Sequence, residues 1–152
     1  MENKYIYFGA SIRGGRDDLE IYQRLIKHLN LYGKVLTEHI GNPNLSIKGE
    51  DGLSDIEIHD RDMGWLTKSN TLVAEVTQAS LGLGYEIGRM IERNIWIPSS
   101  SRKNIFCLYR PQIDKRLSAM IAGTRGLKYA NYKTLDEAKK EIDKFFESIK
   151  GM

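Results

Sequence analysis

Five short apolar runs, separated by stretches of helical period, constrain this chain more than any other feature. "KYIYFGA", "KVLTEH", "NTLVAEVT", "NIFCLYR" and "LKYANY" each have the length and side-chain content of a buried strand. Between the first two, "DDLEIYQRLIKHLNLYG" sets Leu19, Tyr22, Ile26 and Leu29 on one helical face, with Gly33 as its stop. "NPNLSIKGEDG" is a polar loop, and "LSDIEIHDRDMGWLTKS" predicts a second helix opened by a Ser54–Glu57 capping box. "SLGLGYEIGRMIERN" predicts a third helix and "KRLSAMIAG" a short fourth. "TLDEAKKEIDKFFESIK" predicts a closing helix capped by Thr134. Strict strand–helix alternation implies an α/β fold: one parallel sheet covered by helices on both faces. At 152 residues, the length suits one domain over residues 1–152 with a proper core.

Several function classes recede on composition. No run of eighteen apolar residues is present, which argues against a membrane span. The opening "MENKYIYFGAS" breaks at Gly9 and Ser11 and reads as a strand, not a signal peptide. The single cysteine, Cys107, cannot form an internal disulfide, and a cytoplasmic protein fits best. A net charge of +3, with basic and acidic residues interspersed, argues against nucleic acid as the main partner. His28, His39 and His59 lack zinc-motif spacing, so no structural metal is expected.

In open parallel sheets, ligands sit beyond the carboxyl ends of the strands. Any site should therefore draw on residues 9–16, 37–39, 77–86 and 110–118. Two glycine patterns fall there. "GLGYEIG" places Gly82, Gly84 and Gly88 one residue off the G-x-G-x-x-G dinucleotide fingerprint, and after the third strand instead of the first. "GASIRGGR" has Gly9 and Gly14 at P-loop spacing, but Gly15 and Arg16 stand where Lys and Ser/Thr are needed. Its backbone N–H groups, the Ser11 hydroxyl and Arg13 suit a single monophosphate ahead of a helix start. The same residues would also serve as a tight strand-to-helix turn with solvated arginines.

Two carboxylates carry the chemistry. Glu86 falls near the start of the third helix, where the positive end of the helix dipole favours an anion. Gly82 and Gly84 keep bulk away from it, and an unencumbered carboxylate can act as a nucleophile. Asp55, Glu57, Asp60 and Asp62 lie on the second helix. Of these, Asp62 borders the apolar Met63, Trp65 and Leu66, where a carboxyl group can retain its proton. Two carboxyls with separated proton affinities are what glycosidic cleavage requires.

"YFGASIRGGR", "VLTEH", "IHDRDMGWL", "VAEVTQASLGLGYEIGR", "CLYRP" and "LSAMIAG" together closely resemble the 2′-deoxynucleoside 5′-phosphate N-hydrolases of the nucleoside 2-deoxyribosyltransferase superfamily. The resemblance implies a homodimer with a Rossmann-like, doubly wound, five-stranded parallel sheet. It implies hydrolysis of deoxynucleoside monophosphates to free base and 2-deoxyribose 5-phosphate, with no metal or organic cofactor. Glu86 falls on the nucleophile, Asp62 on the second acid and Tyr7 on the tyrosine that positions the nucleophile and crowds the 2′ position. Phosphate contacts carry over onto Ala10, Ser11, Ile12, Arg13, Gly14 and Gly15, extended by Ser80 and Gly82. Ser118, followed by Ala119 and Met120, falls on the serine given by the neighbouring subunit. His39 falls near the base, and Arg16 and Tyr22 at the pocket margin. "NIWIPSSSRKNIFCLYRP" departs from this pattern by its length, so either the third helix extends or a loop bulges out.

Three alternatives share these residues: a deoxyribosyltransferase, a glycosidase of ribonucleotides such as cytidine monophosphate, and a catalytically silent nucleotide-binding dimer. The phosphate-suited first loop favours a phosphorylated substrate. Tyr7 argues against ribonucleotides, and the Glu86–Asp62 pair argues against lost catalysis.

Overall fold

The computed structural model of the chain describes residues 4–12, 18–44 and 52–150. Its strands are β1 (Tyr5–Gly9), β2 (Lys34–Val35), β3 (Thr71–Glu75), β4 (Asn104–Tyr109) and β5 (Lys128–Asn131). The helices are α1 (Leu19–Leu29), α2 (Asp55–Lys68), α3 (Leu81–Trp96), α4 (Ala119–Ala122) and α5 (Leu135–Lys150). All strand pairs are parallel, in the order β2-β1-β3-β4-β5. The order reverses direction between β1 and β3, which leaves a crevice beyond their carboxyl ends.

Strand residues alternate between two cores. Ile6, Phe8, Val73, Phe106 and Leu108 pack with Tyr22, Leu25 and Leu29 of α1 and with Ile142, Phe145 and Phe146 of α5. Tyr7, Leu72, Ala74, Ile105 and Cys107 face the other way, onto Leu66 of α2 and Leu83, Ile87 and Met90 of α3. This period of two is what a sheet buried on both faces demands. Burial pushes the Cys107 thiol up to about 12, which suits an inert core residue. Among the described residues, no helix is long and apolar enough to cross a membrane.

Local chemistry sets the element ends. Ser54 and Glu57 form the expected capping box, and Thr134 accepts from the Glu137 amide. Ser80 caps α3 by accepting from the Leu83 amide at 3.2 Å. Two boundaries differ from expectation, and one open alternative is decided. The second strand is only two residues long, because the Thr37 hydroxyl bonds both the amide and the carbonyl of Phe8, at 2.9 and 2.7 Å. The chain then turns into a 3₁₀ segment, Glu38–Gly41. Helix α1 stops at Leu29, well before Gly33: Asn30 bonds back to the Ile26 carbonyl and forward to the Val35 amide. Gly33 instead permits close approach, since a Cβ there would lie 2.7 Å from the Lys4 carbonyl oxygen. The long third connection resolves as an extension of α3 to Trp96 followed by a 3₁₀ turn, Ser99–Ser101. Asn94 holds the far side of that turn, bonding both the amide and the carbonyl of Lys103.

Candidate active site

A cavity of about 490 Å³ opens at the carboxyl ends of β1 and β3, where the strand order reverses. Tyr7, Ala10, Ile12, His39, Asp62, Ser80, Gly82 and Glu86 all line it, alongside the apolar Ile40, Ile58, Leu81 and Leu83. β1 supplies Tyr7, the 3₁₀ segment His39, α2 Asp62, and α3 Glu86. Ser11 is fully buried just beyond β1. Arg13, Gly14, Gly15 and Arg16 lie outside the described residues.

The centre of the cavity is a hydrogen bond. The Tyr7 hydroxyl donates to Glu86 Oε1 at 2.7 Å. Gly9 makes this approach possible: a Cβ there would meet Leu83 Cδ1 at 2.5 Å and Glu86 Oε2 at 3.4 Å. Burial pushes the Glu86 carboxyl up to about 7; the Tyr7 hydrogen bond pulls against that, and the negative charge of Asp62 adds to it. The expected helix-dipole support for an ionised Glu86 is weak, because α3 begins at Leu81 and leaves Glu86 beyond its first turn. Burial, followed by the charges of Glu86 and Asp62, holds the Tyr7 hydroxyl protonated far above its ordinary range.

Asp62 has a cationic partner that sequence reasoning missed. Arg61 donates to Asp62 Oδ1 through Nε at 3.0 Å and through a terminal nitrogen at 2.8 Å. Its guanidinium also lies over the Trp65 ring, 4.6 Å from the centroid. The signal was present as an Arg–x₃–Trp spacing, which places the two side chains on one helix face. Asp62 therefore borders both the apolar stretch expected from the sequence and this cation.

Other expected residues fall elsewhere. Tyr22 is fully buried against Phe8, on the sheet face opposite Tyr7, because it belongs to the apolar stripe of α1. Ser118 and Met120 line a second cavity of about 580 Å³, beside exposed Ala119. Gly84 and Gly88 face that cavity too, so of the α3 glycines only Gly82 borders Glu86. The two cavities share Ala79, Ser80, Leu81 and Leu83, so the start of α3 is the wall between them.

A buried polar network supports the platform. Glu75, at the end of β3, accepts from the Thr77 amide at 2.6 Å and the Tyr132 hydroxyl at 2.7 Å. Burial raises its proton affinity, against the pull of those donors. Nearby, Arg110 pairs with Asp18 at 2.8 Å, and its amide donates to the Thr77 hydroxyl at 2.9 Å. Asp18 thus ties the start of α1 to the end of β4.

Comparison with known proteins places the chain in a family. A sequence model described as nucleoside 2-deoxyribosyltransferase matches residues 6–133. The chain is 49% identical over 147 residues to the 5-hydroxymethyl-dUMP N-hydrolase of Danio rerio, covering 95% of this chain and 96% of that one. It is 41% identical over 146 residues to the human protein of the same name, covering 94% and 79%. A solved structure of the CMP N-glycosidase of Clostridium botulinum superposes with a TM-score of 0.67 at 16% identity, covering 93% of this chain and 99% of that one; at that identity the likeness concerns the fold. The chain belongs to the nucleoside 2-deoxyribosyltransferase family.

Proposed function

We propose that this protein is an N-glycosidase that hydrolyses 2′-deoxynucleoside 5′-monophosphates to a free base and 2-deoxyribose 5-phosphate. One observation carries it: Glu86, gripped by Tyr7 at 2.7 Å, shares a cavity with Asp62 at the switch point of the sheet. The names of the aligned relatives, hydrolases of a deoxynucleoside monophosphate, support the same substrate class.

In this mechanism the Glu86 carboxylate attacks C1′. The C1′–N bond breaks and its electron pair leaves with the base, which takes the proton carried by the Asp62 carboxyl group. The developing positive charge on the sugar is met by the Glu86 oxygen, and this electrostatic contact lowers the barrier. The resulting deoxyribosyl-glutamate ester is opened by water, which leaves its hydroxyl on C1′, gives its other proton to Asp62 and returns Glu86 as the carboxylate. Tyr7 steadies the nucleophile and occupies the space of a 2′-hydroxyl. Phosphate is held by Ser11, Ile12, Arg13, Gly14 and Gly15, beside Ala10, with Ser80 and Gly82 extending the cradle. His39 serves the base, and Arg16 assists substrate binding. A second copy of the chain completes the site with Ser118, Ala119 and Met120. Residues 1–152 act as one domain, and the buried, reduced Cys107 suits the cytoplasm.

The test is to incubate the protein with a panel of deoxynucleoside monophosphates, with ribonucleotide and base-modified forms beside them, and to measure free base. Binding without base release favours a silent nucleotide-binding protein. A wild-type rate in Glu86→Ala overturns the covalent route. Adding an acceptor base distinguishes transfer from hydrolysis.

A further inference from the structure

We propose that Arg61 is a positioning residue that holds the Asp62 side chain and fixes His39 as a neutral imidazole with its proton on Nδ1. It does not line the cavity; it stands directly behind two residues that do. The kinetic consequence rests on the function proposed above, whereas the His39 tautomer does not.

Three contacts converge on this one guanidinium. Both Nε and a terminal nitrogen reach Asp62 Oδ1. The terminal nitrogen also lies 3.5 Å from His39 Nε2. The Trp65 ring supports the guanidinium from one face and sits 5.4 Å from the His39 ring, tilted by 43°. The Arg61 and Asp62 side chains are only 25% and 18% exposed, so solvent screens the pair incompletely. Arginine suits this place because its planar fork can stack on an aromatic ring while donating in its own plane.

A guanidinium has donors and no acceptor. His39 Nε2 can therefore meet it only as an acceptor, which puts the single proton of the neutral ring on Nδ1. A protonated His39 would turn an N–H toward a cation. Among the described residues, the ionisable groups that face Asp62 are Arg61 on its own helix, Glu86 on α3, Tyr7 on β1 and His39 on the 3₁₀ segment. Arg61 is the fixed cation in that set. Without it, two carboxyl groups and a phenol would share one cavity, and Asp62, having lost the cation bonded to its Oδ1, would bind its proton more tightly.

Arg61→Gln removes the charge, and Arg61→Lys keeps the charge while losing the fork and the stack. The expected result for Arg61→Gln is an alkaline limb of kcat/KM, set by the Asp62 proton, displaced upward by about one pH unit, with the Glu86 acid limb unmoved. Arg61→Lys should keep the wild-type limb and lose several-fold in kcat. Nitrogen-15 NMR of the histidine rings, assigned through His28→Gln and His59→Gln, should show Nδ1–H at His39 in the wild-type protein. Arg61→Gln should shift it toward Nε2–H. A wild-type His39 protonated on Nε2 overturns the inference, as does an Arg61→Gln profile superimposable on wild type. If no monophosphate yields free base, the proposed function fails while the NMR result still decides the tautomer.

Discussion

The hydroxyl of Tyr7 and the carboxylate of Glu86, 79 positions apart in sequence, meet at 2.7 Å inside the cavity. β1 runs parallel to β3 with Phe8 opposite Val73, and α3 packs back over the same sheet face. Tyrosine and glutamate are thus held by two rigid elements, which is what the proposed role of Glu86 as nucleophile needs.

Tyr7→Phe tests that contact with little disturbance, because the buried ring is preserved. A hydrogen bond to the ionised form favours that form, so its loss moves the Glu86 carboxyl further up. The expected outcome is a fall in kcat of about tenfold or more and an acid limb displaced to higher pH. An unchanged limb in a pH–rate series would remove Tyr7 from nucleophile control.

For the wild-type enzyme, the raised Glu86 predicts its own pH profile. Burial raises this carboxyl to about 7, so the anion that the proposed mechanism needs dominates only above neutrality. Measured kcat/KM should fall about tenfold per pH unit below the limb. A plateau extending down to pH 5 would show that Glu86 is ionised throughout, and that burial does not govern it.

The same burial costs stability. A carboxyl whose folded value is raised above its unfolded value binds more protons when folded. Its unfavourable contribution therefore grows from about pH 4.5 to about pH 7 and is complete above that. Glu86→Gln removes the charge, so it should stabilise the protein at pH 8 by on the order of 2 kcal/mol, or roughly 5 °C in Tm. At pH 5 the gain should nearly vanish. Equal Tm differences at both pH values would contradict this linkage.

Much of the fold was legible because a sheet buried on both faces writes itself as apolar runs. The carboxyl-edge rule pointed to segments from which Ala10, Ile12, His39, Ser80, Gly82 and Glu86 line the cavity, whereas Ser118 lines the neighbouring one. Less legible was β2, which Thr37 ends by bonding Phe8 with its side chain, a contact 29 positions away in sequence. Within the site, Glu86 could be singled out by its glycine-flanked helix start, but its proton affinity could not. That depends on how deeply α3 sinks against β1, which the absent Cβ of Gly9 permits. Tyr22 shows the opposite limit: its helical stripe already assigned it to the core, where it packs on Phe8.

The Asp18–Arg110 pair predicts a loop effect. Asp18 follows the first loop directly, and its side chain is 7% exposed. Removing one partner leaves the other charge buried, at a cost of about 3 kcal/mol. Arg110→Met should therefore lower Tm and raise KM for the monophosphate more than it lowers kcat. A kcat defect with unchanged KM would place Arg110 nearer the chemistry than the phosphate.

Ser118 separates a one-chain site from a shared one. It lines the cavity on the far side of the α3 start, not the cavity that holds Glu86. A two-fold partner can bring its own Ser118 to the Glu86 side, because a two-fold interface presents the same patch from both copies. Glu86→Gln and Ser118→Ala chains, each nearly inactive alone, should then complement when mixed and allowed to exchange. Half of the dimers would pair one chain of each kind, with one intact site in each. Recovered activity should approach about a quarter of wild type. No recovery, with exchange verified by mass, would show that Ser118 serves its own chain or none.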